Sequence, residues 1–311
     1  MTLISKDSVT LLTLDDNDAG QRIDNFLLRH LKGVPKSHVY RILRSGEVRV
    51  NKGRIDASYR LQAGDIVRIP PVRVAERSQT GPIAPAQQFT VVFEDDALLV
   101  INKPAGVAVH GGSGVSFGVI EQLRSARPES RFLELIHRLD RETSGLLMIA
   151  KKRSCLVKMH EVMRGPRIDK RYLALACGQW PAKLKDVTLP LHKYLLPDGE
   201  RRVQVQSDGK AAHTRFRIMQ PYADFTLVEA QLKTGRTHQI RVHMQSSGYP
   251  IAGDDKYGDF SLNKQLAKQG LKRMFLHAAR LQLKHPFTDE PLVLEAPLPD
   301  DLSRFLTELQ P

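Results

Sequence analysis

One acidic residue, Asp140, lies inside a cationic, turn-forming segment that runs directly into an apolar stretch, and this constrains the fold more than any other feature. The segment is His137-Arg138-Leu139-Asp140-Arg141-Glu142-Thr143-Ser144-Gly145. Leu146-Leu147-Met148-Ile149-Ala150 follows and reads as a buried strand, closed by Lys151-Lys152. Arg138 and Arg141 flank the carboxylate and hold it electrostatically. An aspartate so placed can cap a turn, pair structurally with an arginine, or be a reactive group kept in its charged form. The triplet alone leaves these open.

The 311 residues suffice for two domains with a sizeable core. With 41% hydrophobic and 26% charged residues, the composition is that of a soluble globular protein. No apolar run approaches the ~18 residues of a membrane helix. The N-terminal residues Lys6, Asp7, Asp15, Asp16 and Asp18 leave no room for a signal-peptide core, so no membrane role is expected. Cys155 and Cys177 form no CxxC pair and are expected as reduced, partly buried thiols, in keeping with a cytoplasmic location. A net charge of +13 and a pI of about 9.8 point to a polyanionic partner. The charge is placed: residues 20–80 carry 13 Lys+Arg against 5 Asp+Glu, whereas the first 19 residues are net acidic.

Residues 1–19 read as a flexible acidic tail. A helix with Ile23, Phe26, Leu27 and Leu31 on one face follows and ends near Gly33. A second helix opens at Pro35 and Ser37, carries Arg41 and Arg44 outward, and stops at Gly46. Val48 and Val50 alternate with Arg49, a turn falls at Asn51-Lys52-Gly53, and Ile66-Val67-Arg68-Ile69 forms another short strand. Two helices, short strands and outward cations make residues 20–70 a compact RNA-binding unit. Residues 71–88, with three prolines, read as a semi-extended linker. From 89 to 311 strand and helix patterns mix irregularly, beginning with strands at Phe89–Phe93 and Leu98–Ile101. That predicts an α+β fold rather than a regular βαβ array.

The Asp140 segment resembles the second motif of pseudouridine synthases of the large-subunit ribosomal RNA type, in which HRLD carries the indispensable aspartate. Four further pieces of that family's pattern are present in the expected order. They are Asn102–Gly106, Lys170-Arg171-Tyr172-Leu173-Ala174, the string from Leu232 to His243, and the pair Gly253–Gly258 and Leu276–Leu281, the last two reading as architectural. Residues 20–70 resemble the S4 domain, chiefly in the run from Ser37 to Ile55 and in Gly64-Asp65. The resemblance implies an S4-like RNA-binding domain joined to a catalytic domain with a mixed, largely antiparallel sheet and a central cleft. It implies Asp140 as the catalytic carboxylate and Tyr172 and Ile240 against the target base. Arg241 would pair with Asp140, and Arg138 would brace the position the base vacates. Lys36, Arg41, Arg44, Arg49, Lys52 and Arg54 would be the RNA contacts, mostly to phosphates. Lys103 and Pro104 would shape the wall beneath the catalytic loop, and Thr237 would N-cap the helix ending near Gly248.

Turning uridine to pseudouridine breaks the N1–C1′ bond, rotates the uracil and joins C5 to C1′. Nothing is oxidised and no group leaves, so the reaction calls for neither metal nor cofactor. A single carboxylate can serve as nucleophile or as base. Rival chemistries lack their residues: His238 and His243 are not at zinc-pair spacing, the HGGSG loop at 110–114 lacks the Lys-Ser/Thr of a phosphate loop, and Ser144 has no nucleophile-elbow context. The expectation is a monomeric enzyme acting on 23S ribosomal RNA, free or in an assembling large subunit. A synthase acting on tRNA or another ribosomal site, and a non-catalytic S4-type ribosome-assembly factor, remain as alternatives.

Overall fold

The computed structural model describes residues 4–5, 7–31, 33–72, 84–112, 115–165, 168–197 and 199–309. The N-terminal unit sets helices α1 (Ile23–His30) and α2 (Lys36–Arg44) against a three-stranded antiparallel sheet. Its strands are β1 (Thr10–Thr13), β2 (Arg49–Val50) and β3 (Ile66–Ile69), in the order β1-β3-β2. Ile23, Phe26, Leu27, Val39, Ile42, Val67 and Ile69 form its core. After β2 the chain reverses through Asn51 and Lys52, both at positive φ, with Val50 and Gly53 exchanging backbone bonds of 3.1 and 2.8 Å. This turn has the twist that suits a tight hairpin.

The acidic tail expected over 1–19 is corrected in part. Thr10–Thr13 pairs with β3 and alternates buried with exposed residues, while Leu12 and Leu14 join the core. Apolar burial at every second residue outweighs the acidic flank. Residues 73–83 of the expected linker lie outside the described residues, and Val72 still packs on the N-terminal core.

The larger unit is α+β, as expected. In chain order it comprises β4 (Thr90–Glu94), β5 (Leu98–Lys103), α3 (Val119–Ala126), β6 (Glu134–Leu135), β7 (Ser144–Ala150), α4 (Arg153–Arg164), β8 (Asp169–Cys177), β9 (Asp186–Val187), β10 (Leu191–Leu195), β11 (Arg201–Val205), β12 (Thr214–Pro221), β13 (Phe225–Leu232), α5 (Gln239–Ser246), α6 (Phe260–Lys268), β14 (Leu276–Lys284), β15 (Pro291–Glu295) and α7 (Asp300–Glu308). The central sheet runs β4-β5-β7-β14-β8-β13-β12-β9, with β15 on β14 and β6 on β7; β10 and β11 form a separate hairpin. The β7–β14 pair is parallel, and the other pairings among the described strands are antiparallel. Every residue of β7 is buried, as its unbroken apolar run requires. Of the 110–114 loop, residues 113 and 114 lie outside the described residues; Glu121 fixes its flanks by accepting from the backbone N–H groups of Gly111 and Gly118. Both cysteines are free, and burial pushes each thiol up to about 12. No described helix is long and apolar enough to cross a membrane.

The seam between β7 and β14 is closely fitted. Ser144 pairs with His277 and Gly145 with Ala278. His277 Nε2 donates to the Ala296 carbonyl (3.1 Å), which leaves Nδ1 to accept from the Ser144 hydroxyl (2.9 Å). Gly145 has φ +109, and a Cβ there would fall 2.3 Å from the Ala278 carbonyl oxygen. Gly145→Ala combines backbone strain with a clash against main chain that cannot give way. It should destabilise the fold by on the order of 3 kcal/mol, read as a lowered denaturant midpoint with unchanged slope.

Candidate active site

Asp140, Arg138, Tyr172, Ile240 and Arg241, drawn from three separate stretches of sequence, line one cavity of about 240 Å³. Asp140 stands in the loop that enters β7, Tyr172 on β8, and Ile240 and Arg241 in the first turn of α5. The cleft therefore spans the seam strand β14, with Asp140 and Arg138 on one side and Tyr172, Ile240 and Arg241 on the other. The loop is held from below by Lys103. It is fully buried and its Nζ donates to the carbonyls of Pro104 (2.8 Å), Val107 (2.8 Å) and Arg141 (3.1 Å). Arg141 turns away from Asp140 and donates to the Gly106 carbonyl. The Asn102–Gly106 segment and the Asp140 loop are thus sewn together by main-chain oxygens held on Lys103.

Arg241 is the electrostatic centre. It is 3% exposed, and its NH1 lies 3.3 Å from Asp140 Oδ2. Its other edge is gripped by Asp254, with Nε to Oδ2 at 2.8 Å and NH2 to Oδ1 at 2.6 Å, while Asp255 Oδ1 lies 3.2 Å from NH2. The Tyr257 ring lies 5.1 Å from the guanidinium carbon. Burial alone would weaken the hold of Arg241 on its proton, but the carboxylates around it reverse that, so its pKa is raised. A bidentate partner fixes the guanidinium plane and leaves NH1 aimed at Asp140.

Sequence reasoning treated Gly253–Gly258 as architectural, and this is a correction: Asp254, Asp255 and Tyr257 all contact Arg241. A buried arginine demands a carboxylate, but nothing in the local string says which one supplies it. The expected Thr237 cap is also corrected. The residue before α5 is His238, in the left-handed region at φ 52, and the Gln239 side chain takes the Arg236 N–H. That conformation brings His238 Nε2 within 3.8 Å of Asp140 Oδ2. The Tyr257 hydroxyl accepts the Val203 N–H (3.0 Å), so its own proton is free for His238 Nδ1 (2.7 Å). That assigns the Nε2–H tautomer, facing Asp140. Burial lowers the His238 pKa more than Asp140 raises it, which favours the neutral ring.

Tyr172 and Ile240 are buried cavity walls. Burial and then the Asp140 charge raise the Tyr172 pKa, so the phenol stays neutral. Arg138 is exposed at the rim, and it also borders a larger adjoining groove of about 770 Å³ lined by Lys193, Arg201, Arg202 and Lys256. The six N-terminal cations Lys36, Arg41, Arg44, Arg49, Lys52 and Arg54 are all exposed and lie on α2, β2 and the hairpin turn that follows. Arg41 lies 3.1 Å from His38 Nε2 and 3.8 Å from Glu47.

Comparison with known proteins finds relatives of both units. Residues 97–246 match the family described as RNA pseudouridylate synthase, and residues 21–67 match the S4 domain. The chain is 56% identical over 310 residues, 97% of each chain, to a protein of Escherichia coli O157:H7 named ribosomal large subunit pseudouridine synthase C. It is 55% identical to the protein of the same name in Pasteurella multocida, over 97% of this chain and 94% of that one. The solved structure titled human RNA pseudouridylate synthase domain containing 4 superposes with a TM-score of 0.58 at 27% identity, covering 70% of this chain and 92% of that one.

Proposed function

Because the chain belongs to the family of RNA pseudouridylate synthases and carries an S4 domain, we propose that it converts uridines to pseudouridines in the RNA of the large ribosomal subunit, 23S rRNA, with Asp140 as the catalytic carboxylate. The observation that carries this reading is the Asp140–Arg241 contact on a cavity walled by Tyr172 and Ile240. The cavity has apolar walls against which a flat base can rest, and one oriented carboxylate where the sugar would stand. The target must leave its helix to enter, at a cost of a few kcal/mol. Arg138, exposed at the rim, can brace the place it leaves. Tyr172 and Ile240 then hold the detached uracil while it turns. On this reading the protein works in the cytoplasm as a monomer, on rRNA free or in an assembling subunit.

The test is to map carbodiimide-detected pseudouridines in RNA from a strain lacking the gene. Specific large-subunit sites should lose modification and regain it with the wild-type gene but not with Asp140→Ala. An unchanged rRNA pattern would overturn the substrate assignment.

The S4 domain supplies phosphate contacts on this reading. Removing residues 1–72 should weaken RNA binding and flatten the plot of log K against log salt by about five units at most. That bound is six contacts at about 0.9 each on duplex, or about 0.7 each on single strands. Equal slopes for truncated and intact protein would show that the domain is not an RNA clamp.

A further inference from the structure

Lys170 has no task in the chemistry above. It lies on β8, where side chains alternate, so it shares a face with Tyr172 while Arg171 turns away to Asp169 and Glu229. Lys170 is 7% exposed, lines the cavity with Asp140, and makes no hydrogen bond or ion pair to any described residue. Its Nζ lies 3.7 Å from where a Cβ on Gly235 would stand, and Gly235 is itself on the cavity wall. His137 beside it offers no negative charge. Burial, with Lys170 adding to it, pushes the imidazole down to about 4, and Nε2 accepts the Met148 N–H. The contrast with Lys103 is instructive, because that buried lysine is satisfied by three carbonyls. The Lys170 ammonium is not sealed in the protein but opens onto the cavity with no countercharge beside it, so it can meet a group that enters there.

We propose that Lys170 binds an oxygen of the target uracil and carries the negative charge that develops on the base when it is detached. The inference rests on the pseudouridine synthase reading. A ring resting on Tyr172 has its edge near the residue two positions along the same strand face, about 7 Å away. The walls around it, Leu232, Leu276, Ile240 and Met163, suit a base, whereas the exposed arginines that would meet phosphates, Arg138 and Arg236, stand at the mouth. When N1–C1′ breaks, the bonding pair stays with the base as a uracil anion spread over N1, O2 and O4. C1′ is relieved by bonding to Asp140 or by loss of its 2′ proton to Asp140. C5 then bonds to C1′, Asp140 returns what it took, the C5 proton leaves and N1 gains a proton. An ammonium already in place stabilises the anion without reorganisation.

Lys170→Met should lower the single-turnover rate at saturating enzyme by about 100-fold or more. RNA affinity, its salt slope and the melting temperature should hold or improve, because the replaced charge was unpaired. Wild-type enzyme should also be slowed by sulfur in place of O2 or of O4 at the target uridine, and Lys170→Met should erase that difference. Should the methionine variant fail to fold, Lys170→Gln and the sulfur substitutions on wild-type enzyme carry the same test. A variant with the wild-type rate, or wild-type enzyme indifferent to both sulfur substitutions, would overturn the proposal. So would weaker binding with a shallower salt slope and a normal saturating rate, which would make Lys170 a phosphate anchor. Failure of the parent reading looks different: the wild-type protein would then form no pseudouridine in any RNA.

Discussion

Asp140→Ala and Asp140→Asn should each abolish turnover while leaving RNA affinity within a few-fold. On the proposed function one carboxylate does the covalent or proton-transfer work, whereas binding would be spread over the many exposed cations on α2, β2 and the cavity rim. A positioned proton-transfer group contributes roughly 10²–10⁴ in rate, and a nucleophile contributes more. The asparagine variant keeps the volume and one oxygen, so its failure would assign the effect to charge rather than shape. Tritium release from uridine-labelled RNA under single-turnover conditions measures the rate, and filter binding measures the affinity. Near-normal release by Asp140→Ala would remove Asp140 from the chemistry.

Arg241→Met should cost about 3–5 kcal/mol of stability as well as rate, because it strands Asp254. Burial alone would raise the Asp254 carboxyl; the bonds and charge of Arg241, with the N–H groups of Lys256 and Tyr257, reverse that and hold it below the ordinary carboxylate value. In the wild type this group therefore contributes stability above the unfolded pKa of about 4, lost as pH falls through the lower folded value. Without Arg241 only the N–H groups of Lys256 and Tyr257 oppose burial, the largest single influence, and the folded pKa rises. The group then contributes stability at low pH that is lost as pH rises through the raised folded value. Denaturant midpoints of Arg241→Met should thus increase as pH falls from 7 toward about 4, a trend the wild-type group cannot produce. A variant whose pH–stability curve ran parallel to the wild type would sink the Asp254 pairing. Arg241 is too deeply buried to act only as a phosphate contact, so a pure loss of RNA affinity is not expected.

Much of the site was legible because its residues sit in unmistakable local strings. Asp140, Tyr172, Ile240, Arg241 and Arg138 were all named from such strings, and all five line one cavity. The helices and hairpin of residues 20–70 were legible from apolar spacing and punctuating glycines. What escaped notice depends on pairing through space. Asp254 reads locally as a turn residue and becomes a partner only when its loop folds onto α5. His238 reads as a helix-entry residue beside a better cap, and only its left-handed backbone, one residue later than expected, takes Thr237 out of the capping position. Lys170 looks like a surface cation, since a strand of alternating character does not say which face is buried. The strand at Thr10–Thr13 was hidden because its residues do not alternate in character: Leu11 and Leu12 are adjacent, and only pairing with β3 decides that Thr10 and Leu12 turn inward and Leu11 outward.

The place of β14 in the sheet governs when the enzyme can exist during its own synthesis. A ribosome delivers Asp140 and β7 early, Tyr172 with β8 later, and Arg241 after β13, yet these groups belong to two sheet halves with no direct strand pairing between β7 and β8. They are brought into register only when residues 276–284 arrive and slot between them, joining Ser144 to a partner 133 positions downstream. Until then β8 lacks its partner along 169–174 and β7 lacks one at Ser144 and Gly145, its far end being paired with β6, and closing so long a loop is slow. The nascent chain should thus be catalytically silent until about nine-tenths of it has been made, and a polypeptide that stops short of Leu276 should lack the strand that joins the two halves of the cleft.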